Sequence, residues 1–434
     1  MAQFFRAKKT TGKGQVFEVS IESLDHTGRG VAKHQGKVGF IDGALPSEQV
    51  KVRVLQQKAK LFEGVIEKVV TPSSDRVKPF CPHYNECGGC SLQHLEKRAQ
   101  LSHKQLAVEK LFAKFAGIQT LPWHDAIASE SLHYRRAGRI ATYLDKRTKS
   151  LKLGFRAAKS KKIVEVQKCA VLNDAFQEVF SLLRDVLNSH SQFKSVSHIQ
   201  LCEADNLPFI LLRHTKPVEE KAKQILSAQL PWQVLWDDGS GEVHYDTLPE
   251  YQVEDIRFQF KLNNFIQVNA AVNDAMLIQA MDWLQLKDSD QVLDLFCGIG
   301  NFSLLMAKRA KQIIGVEGVA SSVAMATQNA QTNGIDNAQF FQFDLTQDMA
   351  SAAWFNKEFN TLVLDPSRTG AYEVLKQLPL AQFEQVLYVS CDPVTLARDS
   401  ALIVEAGFTV GQIALMNMFP HTGHIETMAL FQRR

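Results

Sequence analysis

Short runs in which apolar and polar residues alternate open the chain, at 16–21, 37–41, 49–55 and 62–70. They are separated by the turn formers Gly28-Arg29-Gly30, Asp42-Gly43 and Pro46-Ser47. Alternation with period two gives each run one apolar face, so five or so short strands predict a small barrel. Residues 71–79, with Pro72, Ser73, Ser74 and Pro79, read as a linker. From 92 to 117, Leu95, Leu101, Leu106, Leu111 and Phe115 stand among Lys, Glu and Gln, which predicts a long amphipathic helix stopped by Gly117. Strand-like runs return at 139–144, 152–155 and 162–166, and a central domain continues to about Leu262.

From 264 onward strand and helix signals alternate: strands at 291–296, 312–316, 339–343, 361–364 and 385–390, with helices at 302–307, 321–333 and 394–406 between and after them. That rhythm predicts an α/β domain with a doubly wound parallel sheet. Runs at 408–415 and 426–432 supply a late strand pair at one edge.

Composition adds limits. At 434 residues, 45% of them apolar and 22% charged, the chain is expected to form two to three globular domains. No run approaches the eighteen or so apolar residues of a membrane span, and residues 1–14 lack the apolar core of a secretory leader. Together with seven scattered cysteines, this points to the cytoplasm and away from a disulfide framework. The net charge of +3 conceals a segregation: residues 131–168 carry 12 basic against 2 acidic residues, whereas 264–434 carry 10 against 17. A basic front suits an anion such as nucleic acid, although solvated faces produce the same numbers. In the barrel, Arg29, Lys33, Lys37, Lys51 and Arg53 are the candidate phosphate ligands.

Candidate chemistry lies at the ends of the later strands. The first ends in Asp294-Leu295-Phe296-Cys297-Gly298-Ile299-Gly300-Asn301-Phe302, a glycine turn that lets a nucleotide approach the backbone. The second ends in Glu317, placed for ribose hydroxyls, and the third in Asp344. Acids after strands two and three suit a S-adenosylmethionine methyltransferase rather than a dehydrogenase. The fourth strand ends in Asp365-Pro366-Ser367-Arg368-Thr369-Gly370 and the fifth in Ser390-Cys391-Asp392-Pro393. A thiol beside a methyl donor has a specific use. C5 of a pyrimidine attacks a sulfonium methyl only after a thiolate has added at C6, and the C5 proton must then be removed. Cys391 is the candidate nucleophile and Glu426, in His424-Ile425-Glu426, the candidate base; Cys202 and Cys297 read as buried structural thiols.

With these motifs, Gly43-Ala44-Leu45-Pro46 and Phe265-Ile266-Gln267-Val268-Asn269, the chain resembles the RNA uracil-C5 methyltransferase family nearly end to end. It is most similar to the bacterial forms that act on 23S rRNA and carry a TRAM barrel and an iron-sulfur cluster. The resemblance implies a five-stranded OB-like TRAM barrel over 10–70, a central α+β iron-sulfur domain over 75–263 with the 92–117 helix, and a Rossmann-like methyltransferase domain over 264–434. It implies that Gln267, Phe296, Asn301, Glu317, Asp344 and Asp365 contact S-adenosylmethionine, and it supports the roles of Cys391 and Glu426. Ser367 and Asp392 depart from the family, which usually shows proline and asparagine there.

Cys81, Cys87 and Cys90 with the remote Cys169 suggest a single four-coordinate metal site, and four thiolates serve zinc and a four-iron cluster alike. The resemblance implies a closed [4Fe-4S] cluster. It would organise Arg135, Arg136, Arg139, Arg156, Lys159, Lys161 and Lys162 as a surface for RNA phosphates. The expected reaction gives 5-methyluridine at a single-stranded, flipped-out uridine of 23S rRNA, with Phe265 and Arg368 as candidate base contacts and the enzyme a monomer. The rivals are a tRNA uracil-C5 enzyme, an RNA cytosine-C5 enzyme and a non-catalytic RNA-binding or assembly factor. The cytosine enzyme normally carries a cysteine in the fourth-strand motif, where this chain has Asp365-Pro366-Ser367.

Overall fold

The computed structural model describes residues 14–355 and 358–433; the start of the expected barrel domain, 10–13, and residues 1–13 of the segment expected to lack a leader lie outside the described residues. The chain divides into two compact units. The first comprises the chain up to Tyr84, Cys90–Lys110 and His421–His424; the second comprises Asn85–Gly89, Leu111–Pro420 and Ile425 onward.

In the first unit, β1 (Val16–Leu24), β2 (Gly30–His34), β3 (Lys37–Asp42), β4 (Gln49–Gln57) and β5 (Leu61–Thr71) close a barrel in the order β1-β2-β3-β5-β4. The inward set of the alternation, including Val19, Ile21, Ala32, Ile41, Val50, Val52 and Phe62, forms its core. Gly39 is required there, because a Cβ on it would stand 2.1 Å from the Phe62 ring.

The expected linker is instead anchored. Arg76 Nε meets Glu48 Oε1 at 2.5 Å, and its Nη2 donates to Glu48 Oε2 at 2.8 Å and to the Gly43 carbonyl at 2.7 Å. The Glu48 side chain has no solvent exposure. A distant stretch also belongs to this unit: Ser91 and Leu92 amides donate to the His421 carbonyl at 2.9 and 2.8 Å, and the His421 amide donates to Gln100 Oε1 at 3.0 Å.

Helix α1 runs over Lys97–Phe115, five residues shorter at its start than expected. The Glu96 carboxylate accepts the Arg98 and Ala99 amides, so it caps the helix where the leucine pattern would have continued it. The buried side of α1 is also not the leucine series. Gln100, Lys104, Ala107, Val108 and Phe112 are buried, whereas Leu106 and Phe115 are exposed.

The second unit holds two large sheets. β6 (Ala137–Leu144), β7 (Leu151–Arg156), β8 (Ile163–Glu165), β9 (Val196–Glu203), β10 (Pro208–His214) and β11 (Gln233–Asp237) form one in the order β11-β10-β9-β6-β7-β8. Its apolar face packs with α2 (Val179–Ser189) and α3 (Glu220–Ser227) around Phe176, Phe180, Leu183 and Ile199. A hairpin of β12 (Glu250–Val253) and β13 (Ile256–Gln259) precedes α4 (Ala270–Leu284).

The other sheet is built from β14 (Gln291–Leu295), α5 (Ser303–Ala307), β15 (Gln312–Glu317), α6 (Ala320–Thr332), β16 (Ala338–Gln342), β17 (Thr361–Leu364), α7 (Tyr372–Gln377), β18 (Gln385–Ser390), α8 (Pro393–Glu405), β19 (Phe408–Met416) and β20 (Glu426–Arg433). The strand order is β16-β15-β14-β17-β18-β20-β19. The first five are parallel, and β20 and β19 add antiparallel at one edge, as the late strand pair predicted. The order reverses direction at β14, which opens a crevice at the carboxyl ends of β14, β15 and β17. No helix among the described residues is long and apolar enough to cross a membrane.

Candidate active site

Beyond β14 the backbone turns sharply. Phe296, Gly298 and Gly300 all have positive φ (65°, 57° and 90°), while the Phe296 and Cys297 amides still bond to the Val316 carbonyl at the end of β15. A Cβ on Gly298 would meet open space, so this glycine serves the backbone conformation and leaves the crevice side uncrowded. The Glu317 carboxylate ties the turn to the start of α6, accepting the Gly298 amide at 3.3 Å and the Val319 amide at 2.9 Å. Asn301 is fixed on both sides: its Nδ2 donates to Asn273 at 2.9 Å and its Oδ1 accepts from Tyr251 at 2.8 Å. Asp344, after β16, is exposed and takes the Thr346 amide and hydroxyl, which together hold its carboxyl below the usual range.

Two further carboxylates stand near the carboxyl ends of β14 and β17. Asp294 is 1% exposed; one of its oxygens accepts from Ser303, and the other is buried without a hydrogen-bond partner among the described residues. Burial pushes it up to about 7, with Asp365 and Glu317 adding to the shift. Burial likewise pushes Asp365 up to about 7. A glycine turn with an open face, an orphaned carboxylate oxygen and acids at successive strand ends suit a cationic, hydroxyl-bearing nucleotide ligand. Sequence reading passed over Asp294, Ser303, Asn273 and Tyr251 as functional groups. Only the Asp in the glycine-turn motif gave a local sign.

Cys391 and Glu426 come together through strand register. β18 pairs with β20 as far as Ser390 opposite Thr427, so Cys391 and Glu426 are the next residues beyond the pairing at the carboxyl rim, and Glu426 acts electrostatically on the thiol. Burial, then Glu426, then Asp365 push the half-buried Cys391 thiol up to about 12, while Arg368 acts in the opposite direction. Asp392 caps α8 through the Val394 and Thr395 amides at 2.9 and 3.2 Å, a task that asparagine performs equally. Phe265 is 75% exposed, which removes a core role for it, and Gln267 is half-buried nearby in sequence.

The basic residues divide. Arg139, Arg156, Lys159, Lys161 and Lys162 are exposed and Arg135 is half-buried. Arg136 corrects the expectation: it is 3% exposed, stacked over the Tyr251 ring at 4.9 Å, and serves packing rather than phosphate binding. In the barrel, Arg29 is committed to Asp25 at 2.9 Å and to the Phe40 ring at 4.6 Å.

Of the cysteines expected to bind metal, Cys81 and Cys90 belong to the first unit and Cys87 and Cys169 to the second, all four half-buried. Among the described residues no group of three or more His, Cys, Asp or Glu side chains is placed to hold a metal ion. Cys202 and Cys297 are buried, as structural thiols are.

Comparison with known proteins bears on these residues together. The family model described as tRNA (Uracil-5-)-methyltransferase matches residues 96–434, and that of the TRAM domain matches 11–66. A 23S rRNA (uracil(1939)-C(5))-methyltransferase of Pseudoalteromonas translucida is 54% identical, with 100% of each chain covered. The protein of the same name from Shewanella amazonensis is 44% identical over 100% of this chain and 99% of its own. The crystal structure of the Pyrococcus abyssi tRNA (uracil-54, C5)-methyltransferase in complex with S-adenosyl-L-homocysteine shares the fold, with a TM-score of 0.74 at 22% identity over 96% of this chain and 100% of that one. Since the match runs from α1 through the paired ends of β18 and β20 to the last residue, with full-length relatives beside it, the chain belongs to the tRNA (uracil-5-)-methyltransferase family.

Proposed function

We propose that this chain is an enzyme that transfers a methyl group from S-adenosylmethionine to C5 of a uridine in 23S rRNA, giving 5-methyluridine. One observation carries the reading: the β18–β20 register sets a thiol and a carboxylate side by side at the rim that also bears Asp365 and Arg368. The names of the full-length relatives support the substrate.

When bound, the donor supplies an electrophilic methyl group on a sulfonium. The Cys391 thiolate adds to C6, forming a carbon–sulfur bond and moving the C5–C6 electron pair onto C5 and O4; C5 then takes the methyl group. Glu426 accepts the C5 proton, the C5–C6 double bond re-forms, and the bond from C6 to Cys391 breaks to release the thiolate. Cys391 ionises against burial and two carboxylates, so positive charge at the rim favours the reaction, and Arg368 is the chain's own contribution. Gln267, Phe296, Asn301, Glu317, Asp344 and Asp365 are proposed to hold the donor. Glu317 keeps acceptor capacity for ribose hydroxyls after binding the Gly298 and Val319 amides.

The proposed division of labour gives RNA binding to the TRAM barrel over 10–70 and to the basic part of 75–263, and chemistry to 264–434. The uridine must leave its stack to reach both thiol and donor, so a loop uridine is the substrate. The enzyme is proposed to act as a cytoplasmic monomer.

Cys81, Cys87, Cys90 and Cys169 are proposed to hold a [4Fe-4S] cluster of structural purpose, through which no step of methylation passes. Support comes from the four-thiol donor set and from the Gly89 amide directed at Cys87 Sγ at 3.4 Å, a dipole that favours thiolate. Anaerobically purified protein should contain iron and acid-labile sulfide, and Cys169→Ala should lose both; unchanged iron would remove Cys169 from the set.

The function is tested by incubating the protein with labelled donor and unmodified 23S rRNA or tRNA, followed by mass spectrometry of the digested nucleosides. 5-Methyluridine at an rRNA site is expected. Label in 5-methylcytidine, label only in tRNA, or no label would overturn the assignment.

A further inference from the structure

The loop from Asp365 to Ala371 brings Asp365 and Arg368 to the rim, yet Ser367, Arg368 and Thr369 are exposed. Within the loop the Gly370 amide donates to the Ser367 carbonyl at 2.9 Å, and the Ser367 and Thr369 hydroxyls meet at 3.0 Å. What fixes its far end is a cluster on β18 and α8, in which Tyr388 and Asp399 are buried and Arg398 reaches the surface. Asp399 has no solvent exposure; its Oδ2 accepts the Ala371 amide at 2.6 Å and the Tyr388 hydroxyl at 2.7 Å. The Tyr388 hydroxyl also accepts from the Ala371 amide at 3.1 Å. Arg398 donates through Nε to Asp399 Oδ1 at 2.7 Å and through Nη2 to the Thr369 carbonyl at 2.9 Å, and it lies over the Tyr372 ring at 5.1 Å. Gly370, at φ 74°, admits this cluster, because a Cβ there would stand 2.5 Å from Asp399 Oδ2 and 2.7 Å from Arg398 Nη2.

We propose that Tyr388, Arg398 and Asp399 are positioning residues for the reaction, holding the far end of the Asp365–Ala371 loop so that Arg368 keeps its place beside Cys391. Burying a carboxylate costs several kcal/mol unless hydrogen bonds and a counter-charge meet it. Here three donors converge on one carboxylate, and two of them, the Ala371 amide and Arg398, also fix the loop. The same β18 that presents Tyr388 to the loop ends at Cys391, and β17, paired with it in parallel at Leu364–Tyr388, leads directly into Asp365. The cluster thus spans the short interval between nucleophile and loop. The inference rests on the methyltransferase reading above.

The charged groups facing Cys391 are Glu426 from β20 and Asp365 and Arg368 from the loop. Asp365 directly follows β17 and its amide bonds to the Leu295 carbonyl at 3.4 Å, so loosening the far end of the loop displaces Arg368 and leaves Asp365 in place, and the thiolate becomes harder to form. The test measures covalent capture of a 5-fluorouridine-substituted 23S rRNA transcript in the presence of donor, as a function of pH. Fluorine at C5 cannot leave as a proton does, so the C6 adduct of Cys391 persists. For Arg398→Ala and Tyr388→Phe, the acidic limb of the capture rate should move to higher pH by about one unit, an approximately tenfold slower capture at pH 7. A role confined to folding would lower the active fraction and leave the limb in place, and that result in folded variants overturns the proposal. Tyr388→Phe removes only a hydroxyl and decides the matter if Arg398→Ala does not fold. Absence of capture by the unaltered protein would instead overturn the methyltransferase reading itself.

Discussion

Cys391 and Glu426 are neighbours with opposite electrostatic interests, since the carboxylate proposed to take the C5 proton also opposes formation of the thiolate. The two variants therefore separate in kind. Cys391→Ala has no group to add at C6 and should give no methylated product while still binding donor. Glu426→Gln retains shape and hydrogen bonding but cannot accept the C5 proton. It should slow turnover by about 10²- to 10⁴-fold, the span typical of a lost general base, and accumulate an RNA–protein adduct stable in denaturing gels. Ordinary turnover by either variant would remove its residue from the mechanism. Neither proposed role required the fold to be seen, because the chemistry of a thiol beside a methyl donor already called for a base. What sequence could not supply was their adjacency, which depends on the antiparallel return of β20 along β18. Arg136 shows the reverse failure: one more arginine in a basic stretch looks like a phosphate ligand, and only its place over Tyr251 shows that it is core.

Elements were legible where local pattern and tertiary demand agreed. Four barrel strands and the parallel sheet announced themselves by alternation and by β-branched runs, whereas β2, only five residues long and containing glycine, lysine and histidine, did not. The leucines of α1 step by five, which carries each 140° around the helix, so they mark no single face; the buried residues at 100, 104, 108 and 112 step by four. Residues 72–79 were misread because Pro and Ser imitate a linker, while the contact that orders them joins Arg76 to Glu48, 28 positions earlier. That pair makes a prediction at this scale. Arg76→Ala leaves the Glu48 carboxylate buried without its cation and should cost about 3–5 kcal/mol in chemical or thermal unfolding of the first unit. Burial alone would raise the Glu48 pKa, but Arg76 and the Leu45 and Ser73 amides outweigh it and hold it below its ordinary 4.5. Its stabilisation is therefore complete above pH 4.5 and is lost as pH falls through the lowered value. The unaltered chain should lose stability steeply on acidification and Arg76→Ala less so; equal slopes would show that the pair contributes little.

At the scale of the whole chain, a net charge of +3 conveys nothing, whereas its distribution does. The acidic segment 264–434 repels a polyanion, which makes the basic stretch, where Arg156, Lys159, Lys161 and Lys162 stand exposed on and after β7, the natural source of RNA affinity. Phosphate contacts release counterions, and for single-stranded RNA each contact contributes roughly 0.7 to the slope of log affinity against log salt. Replacing those four residues together by alanine should weaken binding of a 23S rRNA transcript at low salt and reduce the magnitude of that slope by up to about 3, four contacts at that value. If the residues are merely solvated, the slope stays the same and the affinity barely moves. The comparison is decisive at this scale because base-specific contacts carry no salt term, so a flattened slope assigns long-range capture of the RNA to this stretch and leaves recognition of the uridine to other residues.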